Sequence, residues 1–254
     1  MYELTLIGIG TGNPDHLTVQ GAKAIRAADL ILIPRKGGDK GDLADLRRQI
    51  IQSVTGDAPP RIAYFDIPAR RNDEGYLQGV DDWHAAIAVL WQDTIARARP
   101  APQKVALLIW GDPSLYDSSL RIAARLDPTP TTRVVPGITA LQALTAAHAI
   151  PLNDIGAPVL VTTGRQLRDH GWPGGVDALA VMLDGQCSFQ TLDPAGLRIW
   201  WGAYLGMQNE VAITGDLAQV SAQIIRTRAA ARATHGWIMD IYLLKKSPPK
   251  HPGH

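Results

Sequence analysis

The sequence has one cysteine, no excess of charge of either sign and no long apolar run. Cys187 stands alone among 254 residues, which excludes an intramolecular disulfide and a zinc site built from several cysteines. This cysteine usage suits a reducing compartment. No apolar run approaches the roughly 20 residues that span a bilayer. Glu3 lies inside the first apolar run and no basic region precedes it, so we expect no signal peptide, no membrane segment and a cytoplasmic protein.

The charge balance and several missing motifs argue against further classes of protein. The 25 basic and 24 acidic residues give a net charge of +1, whereas nucleic-acid binders usually carry a basic excess, so we expect no nucleic-acid partner. None of the seven histidines follows the His-x-x-x-His spacing of a metal site, and we predict no metal. The Gly-x-x-x-x-Gly-Lys-Ser/Thr pattern of nucleotide triphosphatases is absent, and Ser114 lies outside a Gly-x-Ser-x-Gly turn.

The first part of the chain alternates apolar runs with helical patterns, which is typical of an α/β domain with a parallel sheet. We predict strands at 4–10, 30–33, 61–65, 105–110 and 134–135, and helices at 18–28, 42–51, 79–97 and 139–148. The helix at 79–97 carries Trp83 and Trp91 on its apolar stripe, and this spacing favours a core position over a ligand surface.

Beyond a segment at 150–158 with two prolines and no periodicity, strands follow one another with fewer helices between them. We predict strands at 159–163, 178–183, 198–205, 210–214 and 237–245, and a helix at 218–232. Strands close in sequence are often antiparallel, so we expect a mixed sheet here. The predicted domains are 1–152 and 157–246, and 247–254 contains three prolines and is predicted to be a disordered tail.

The buried strand at 105–110 ends abruptly at Gly111-Asp112-Pro113. Ligands of open α/β sheets bind outside the carboxyl ends of the strands, and Asp112 is predicted to lie at such an end, where a helix starts at Pro113. A helix N-cap is the alternative role for this aspartate.

The first strand breaks into a glycine-rich turn, Gly8-Ile-Gly-Thr-Gly12. The dinucleotide-binding pattern is Gly-x-Gly-x-x-Gly, but position 13 is Asn, so the match is imperfect and a reductase that binds NADPH is only an alternative. His16 in the same turn is a candidate general base, and a capped surface histidine is the other interpretation.

Three segments, in this order, resemble the tetrapyrrole methyltransferase family. They are Leu4-Thr-Leu-Ile-Gly-Ile-Gly-Thr-Gly-Asn-Pro, the stretch Lys104 to Asp117, and Arg133-Val-Val-Pro-Gly-Ile-Thr-Ala. The resemblance implies two α/β domains with the active site in the cleft between them. It also implies methyl transfer from S-adenosyl-L-methionine, which leaves S-adenosyl-L-homocysteine, and a homodimer.

Finer details resemble the deacetylating subgroup of this family most closely. The segments are Gly111-Asp-Pro-Ser-Leu-Tyr-Asp117, Val181-Met-Leu-Asp-Gly185, Trp201-Gly-Ala-Tyr-Leu-Gly206 and Gly236-Trp-Ile-Met-Asp240. The resemblance implies that the protein methylates C1 of precorrin-5 and releases the acetyl group as acetate. Methylation of another carbon of the macrocycle, and a non-catalytic protein that holds the cofactor or a tetrapyrrole, are the alternatives.

The resemblance also implies a set of cofactor-binding residues. They are Thr11, Trp110, Gly111, Asp112, Leu115, Tyr116, Thr139, Ala140, Met182, Leu183, Tyr204, Gly206, Gly236 and Trp237. The sequence departs from the family pattern at Thr11, which stands where proline is usual, and at Asp117, which stands where glycine is common. The stretch Met182-Leu-Asp-Gly185 has one residue more before glycine than the family motif, so either Met182 or Leu183 contacts the adenine.

Loss of the acetyl group requires an activated water, and the candidates for its base or polarising donor are His16, Asp39, Tyr116 and Tyr204. The substrate carries many carboxylates, and Arg35 and Lys36 are candidates to bind its rim. For Arg70 and Arg71 we favour solvated loop positions.

Overall fold

The computed structural model describes residues 2–35, 41–69 and 76–247, and it divides into two compact units. The first extends to Thr139 and the second begins at Ala140. In the described ranges, no helix combines the length and apolar character needed to cross a membrane.

The first unit is a five-stranded parallel sheet in the order β3-β2-β4-β1-β5. Its strands are β1 (Glu3–Gly8), β2 (Leu30–Arg35), β3 (Arg61–Asp66), β4 (Lys104–Ile109) and β5 (Thr131–Val135). Its helices are α1 (Val19–Ala27), α2 (Gly41–Thr55), α3 (Tyr76–Arg97) and α4 (Ser119–Ala123), with a 3-10 turn at Pro14–His16. The predicted parallel sheet is confirmed.

Both faces of this sheet are buried, which explains why its central strands are almost continuously apolar. On one face, Leu6 and Leu107 pack with Trp91 of α3 in one core. On the other face, Ile7 and Leu108 pack in a second core that includes residues of α1 and α2. The tryptophan stripe of α3 is therefore a core stripe, as its spacing predicts.

The second unit is a mixed sheet in the order β6-β7-β10-β8-β9, in which only β6 and β7 are parallel neighbours. Its strands are β6 (Leu160–Thr163), β7 (Ala178–Met182), β8 (Leu197–Ala203), β9 (Val211–Asp216) and β10 (Asp240–Lys246). Its helices are α5 (Ala140–His148), α6 (Gly164–His170) and α7 (Leu217–His235), with a 3-10 turn at Ser188–Thr191. The predicted mixed sheet is confirmed. Helix α6 was not predicted from the sequence.

Helix α5 belongs to the second unit, because it packs against β8, β9 and β10. The boundary between the compact units therefore lies before α5. The sequence prediction placed this boundary after α5, at 152. The predicted disordered tail lies outside the described residues except for Ser247.

Candidate functional site

Three loops lie at the carboxyl edge of the first sheet, because β4, β1 and β5 are parallel neighbours. The loops after β1 and β4 touch each other through Gly10 and Gly111. The Gly111 N–H donates to the Gly10 carbonyl at 2.8 Å, and the Gly10 N–H donates to the Gly111 carbonyl at 3.3 Å.

The loops approach so closely that glycine is required at two places. A Cβ on Gly137 would lie 2.1 Å from the Gly111 carbonyl oxygen, and a Cβ on Gly8 would lie 2.6 Å from the Gly137 nitrogen. Gly111 has a φ of +65° but meets nothing nearer than 3.8 Å, at the Thr139 Cα. A side chain at position 111 would therefore clash with no neighbouring atom, and the positive φ is what requires glycine there.

Asp112 connects the loop after β4 with the loop after β5. Its Oδ2 accepts from the Gly137 N–H at 2.9 Å, and its Oδ1 accepts from the Ser114 N–H at 2.8 Å and the Ser114 hydroxyl at 2.5 Å. Burial raises the pKa of Asp112, but these hydrogen bonds outweigh burial and the pKa is lowered. With three hydrogen-bond donors from the loops after β4 and β5, the Asp112 carboxylate holds these two loops together.

The predicted helix start at Pro113 is wrong. Residues 113–116 form a turn and a bend, and α4 begins only at Ser119. Asp112 is therefore no helix N-cap, and its Oδ1 instead holds the turn through the Ser114 N–H. Asp117 instead accepts from the Ser119 N–H at 2.7 Å, which shapes the entry into α4. Asp117 thus has a structural role at the start of α4.

His16 and Thr11 form a pair inside the loop after β1. The Thr11 hydroxyl lies 3.0 Å from the His16 Nδ1, with Thr11 buried and His16 half-buried. A Cβ on Gly10 would lie 2.7 Å from the His16 Cβ, so the loop main chain packs directly on this side chain. When Nδ1 carries the hydrogen and donates to Thr11, Nε2 has the free electron pair of a base.

Tyr116 is 44% exposed and has a φ of 51°, a left-handed conformation that is rare outside glycine. Burial of part of its ring raises the pKa of the Tyr116 phenol. The phenol is therefore suited to donate a hydrogen bond rather than to accept a proton. Leu115 precedes it in the turn, where the Leu115 N–H donates to the Asp112 carbonyl at 3.2 Å.

A second group of predicted residues lies at one edge of the second sheet. The carboxyl ends of β7 and β8 and the amino end of β10 meet there, since Ala203 is opposite Asp240 and Val181 is opposite Tyr242. This edge brings together Met182, Leu183, Tyr204, Gly206, Gly236 and Trp237.

Leu183 is the most unusual residue of this edge. It has a φ of 53° and is 66% exposed, so an apolar side chain and a strained main chain face outward. The adjacent Asp184 is buried and accepts from the Tyr242 hydroxyl at 2.7 Å and from the Ser188 hydroxyl at 2.9 Å. These bonds hold the turn, and Leu183 is thereby presented more fully than the half-buried Met182.

A catalytic role for Tyr204 does not fit the structure. Its side chain is 2% exposed, and its hydroxyl donates to the Trp237 carbonyl at 2.5 Å, with the Ala231 carbonyl at 3.3 Å. The Tyr204 and Trp237 rings also pack edge to face, with centroids 5.0 Å apart. Tyr204 is a packing residue that supports the edge.

Five other residues of the predicted cofactor site have the following positions. The Gly206 N–H donates to Glu210 Oε2 at 2.5 Å, and Gly236 ends α7 with a φ of 69°. Thr139 is the last residue of the first unit and Ala140 opens α5 in the second. Trp110 is half-buried beside Gly111.

Some predicted residues lie outside the described part of the chain. They are Lys36, Asp39, Arg70 and Arg71. Arg35 is described, and its Nε donates to Asp66 Oδ1 at 3.1 Å in an exposed ion pair. Within the described ranges, no three His, Cys, Asp or Glu side chains are grouped to hold a metal ion.

Sequence reasoning missed the backbone strain at both edges. Five non-glycine residues among those described have positive φ, and three of them, Tyr116, Leu183 and Tyr204, were predicted to bind the cofactor. Such strain costs about 1–3 kcal/mol per residue and is concentrated at functional sites. No local sequence signal reveals it, because leucine and tyrosine are ordinary strand and helix residues.

Comparison with known proteins agrees with this geometry. The family described as "Tetrapyrrole (Corrin/Porphyrin) Methylases" matches residues 3–221. A precorrin-6A synthase [deacetylating] from Sinorhizobium sp is 45% identical over 251 residues, 97% of this chain and 96% of that protein.

Solved structures give the same result. A putative cobalamin synthesis related protein (CobF) from Corynebacterium diphtheriae has a TM-score of 0.81 and 35% identity, over 98% of this chain and 100% of its own. The uroporphyrin-III C-methyltransferase from Thermus thermophilus, complexed with S-adenyl homocysteine, has a TM-score of 0.59 and 19% identity, over 96% of this chain and 97% of its own. At that identity, the second likeness concerns the fold alone.

Proposed function

Since the chain belongs to the family of tetrapyrrole (corrin/porphyrin) methylases, we propose that it methylates C1 of precorrin-5 and releases the acetyl group as acetate. The chain is an S-adenosyl-L-methionine-dependent methyltransferase of cobalamin biosynthesis, and the product of the proposed reaction is precorrin-6A. The observation that carries the assignment is the near full-length, 45% identity to a deacetylating precorrin-6A synthase.

The edge of the first sheet suits the methionine end of the cofactor. Gly111 leaves its main chain open beside Thr139, and Asp112 holds the loops after β4 and β5 together. We assign to the first unit the methionine end and the macrocycle, and to the exposed turn of Leu183 in the second unit the adenine. Leu183 rather than Met182 is the assigned contact, because it is the more exposed of the two.

Methyl transfer needs positioning more than chemical groups. S-adenosyl-L-methionine supplies a methyl group on a positively charged sulfur, and the acceptor carbon must lie in line with both atoms. Effective positioning requires loops that do not move, and the close contacts of Gly8, Gly111 and Gly137 provide them. The lack of a metal motif or a nucleophile motif in the sequence fits this type of catalysis.

Removal of the acetyl group needs a base. Water adds to the acetyl carbon, the bond to the macrocycle breaks, acetate leaves, and the electron pair stays on the macrocycle. We assign the proton transfer from water to His16 Nε2, with the Thr11 hydroxyl accepting from the Nδ1–H and fixing the tautomer. Tyr116, with its raised pKa, is assigned as the donor that polarises the acetyl oxygen.

The decisive experiment is mass spectrometry of precorrin-5 incubated with the purified protein and S-adenosyl-L-methionine. We expect one added methyl, loss of the acetyl group and one equivalent of acetate. A methyl gain without acetate would remove the deacetylating assignment and leave the family. Cofactor binding without any methyl gain would instead indicate a non-catalytic binding protein.

A His16→Gln variant tests the base. We expect acetate release to fall about 100-fold, the usual contribution of a general base, while S-adenosyl-L-methionine binds with unchanged affinity. His170→Gln is the matched control, because His170 is an exposed histidine of α6. Equal rates of acetate release in both variants would remove His16 from the reaction.

We also propose that the protein is a cytoplasmic homodimer. Family resemblance supports the dimer, and a single buried free cysteine suits a reducing compartment. Light scattering of the eluted protein should give twice the chain mass of 27.4 kDa, and a monomer mass would remove the dimer proposal.

A further inference from the structure

The hydrogen-bonded pairing of β2 with β4 ends before the ends of the two strands, because β2 contains Pro34. The two strands pair only from Leu30 to Leu32. Continuing this register, the next hydrogen bond would run from the main-chain nitrogen of Pro34 to the Leu108 carbonyl. Proline has no N–H, so that bond cannot form. The Leu108 carbonyl therefore lacks its ladder donor close to the carboxyl edge of the sheet.

Arg47 of α2 supplies the missing donor. Its Nε donates to the Leu108 carbonyl at 3.0 Å, and its Nη1 donates to the Leu43 carbonyl at 3.1 Å. Two carbonyls fix the plane of the guanidinium group. These bonds use two of its five N–H groups, which leaves three for further partners.

The guanidinium group lies at the edge that carries the candidate site. Leu108 lies near the end of β4, just before Trp110 and Gly111 of the loop that follows it, and α2 packs against the 3-10 turn that ends at His16. Arg47 therefore adjoins the loops after β1 and β4, within the first unit.

The charge of Arg47 is unusual for its surroundings. Burial lowers the pKa of Arg47 to about 10, while the negative charge of Asp117 favours the protonated form. The side chain is thus charged at neutral pH. The Asp117 carboxylate nevertheless forms no ion pair with Arg47 within 4.0 Å. Burying a charge is unfavourable unless a partner is supplied, and a carboxylate on a ligand would supply one.

We propose that Arg47 binds a carboxylate of the macrocyclic substrate through its remaining N–H groups. This inference rests on the proposed function, because it requires a substrate that carries carboxylates. The fork of a guanidinium group matches a carboxylate and sets its orientation, so Arg47 determines how the macrocycle is placed. Arg35, the candidate from the sequence, is already paired with Asp66.

The test measures binding of precorrin-5 to the full-length protein in the presence of S-adenosyl-L-homocysteine, which prevents turnover. We expect Arg47→Gln to raise the Kd for precorrin-5 about 10- to 100-fold, the usual effect of losing a charged hydrogen bond. Affinity for S-adenosyl-L-methionine, measured separately by calorimetry, should not change. Arg47→Lys keeps the charge and should bind precorrin-5 with intermediate affinity.

Arg26→Gln is the matched control. Arg26 also donates its Nε to a carbonyl, that of Val54 at 2.7 Å, but it lies near the end of α1 and is exposed. Unchanged binding of precorrin-5 by Arg47→Gln would overturn the inference, as would an equal loss of cofactor affinity in Arg47→Gln and Arg47→Lys. If the wild-type protein does not bind precorrin-5, the proposed function fails, and this inference fails with it.

Discussion

At the scale of single residues, the candidate site depends on glycines, because a side chain at Gly8 or Gly137 would keep the loops apart. Gly8, Gly111 and Gly137 allow three main-chain segments to meet within contact distance. Asp112 then joins two of these segments through its carboxylate. Substitution of one of these glycines or of Asp112 should lower the free energy of unfolding, which can be measured without any substrate.

We predict that Gly137→Ala lowers the free energy of unfolding by about 2–3 kcal/mol. The new Cβ would lie 2.1 Å from the Gly111 carbonyl, and such overpacking forces the main chain to shift. Chemical denaturation measures the change. Gly174→Ala is the control, because a Cβ there meets nothing within 4 Å, and its effect should stay within about 0.5 kcal/mol. Equal effects of the two substitutions would contradict the close contact.

We predict that Asp112→Asn changes how stability depends on pH. The folded pKa of Asp112 lies below its ordinary value of about 3.9, so its ionised form stabilises the protein above that pH. The contribution is lost as the pH falls from about 4 through the lower folded pKa. In thermal melts, the gap in Tm between wild type and Asp112→Asn should therefore be widest near neutral pH and should shrink below about pH 4. A gap that does not change with pH would show that the charge of Asp112 is irrelevant.

At the scale of helices and strands, a buried ion pair joins α7 to β10. Arg228 Nε donates to Asp240 Oδ2 at 2.8 Å, and the Trp201 Nε1 donates to the same oxygen at 3.0 Å. Arg228 also donates to the Asp184 carbonyl at 3.2 Å. Burial raises the pKa of Asp240 in spite of these bonds. The turn of Leu183 is thus connected to α7 through Asp184 and Arg228.

We predict that Arg228→Met destabilises the protein by about 3–5 kcal/mol, because it leaves the Asp240 carboxylate buried without its partner. The double variant Arg228→Met with Asp240→Leu should recover most of that loss, since both charges are then removed. Urea denaturation of both single variants and the double variant gives the coupling energy. Additive effects in this cycle would contradict the ion pair.

Much of the element order could be predicted from the sequence. Every strand in the described part of the chain was anticipated, because a buried parallel strand such as β4 is an apolar run and the second unit repeats short apolar segments. The helix start at Pro113 was wrong because a contact distant in sequence, from Asp112 to Gly137, decides that turn. Helix α6 is short and was missed for lack of a periodic stripe.

The site was predicted unevenly, for physical reasons. Glycines and an aspartate at a strand end are visible in the sequence, so Gly111 and Asp112 were found. Tyr204 was taken for a reactive group because its hydroxyl partner, the Trp237 carbonyl, cannot be read from sequence. Arg47 was missed because its significance depends on Pro34, on a different element, which ends the ladder beside Leu108.

At the scale of the whole molecule, the single cysteine reports on unfolding of the second unit. Cys187 is buried, and burial raises the pKa of its thiol to about 11. At pH 8 about one thiol in a thousand is then ionised, and only the thiolate reacts with alkylating agents.

We predict that iodoacetamide labels the native protein at pH 8 more than 100-fold more slowly than a free thiol, whose pKa is about 8.5. Labelling should accelerate in urea in step with the loss of circular dichroism. Cys187→Ser should incorporate no label, which establishes the site of reaction. Rapid labelling of the native protein would contradict the buried position.

The glycine contacts also bear on when the loops of the first unit become ordered. Gly10 and Gly111 exchange main-chain hydrogen bonds, and Asp112 closes the third segment onto them, so the conformational entropy of these loops is lost during folding. Loops that are ordered in this way lose little further entropy when a ligand binds, so little ordering opposes its binding. The amide hydrogens of Gly111 and Gly137 should accordingly exchange with solvent deuterium as slowly before ligand binding as after it.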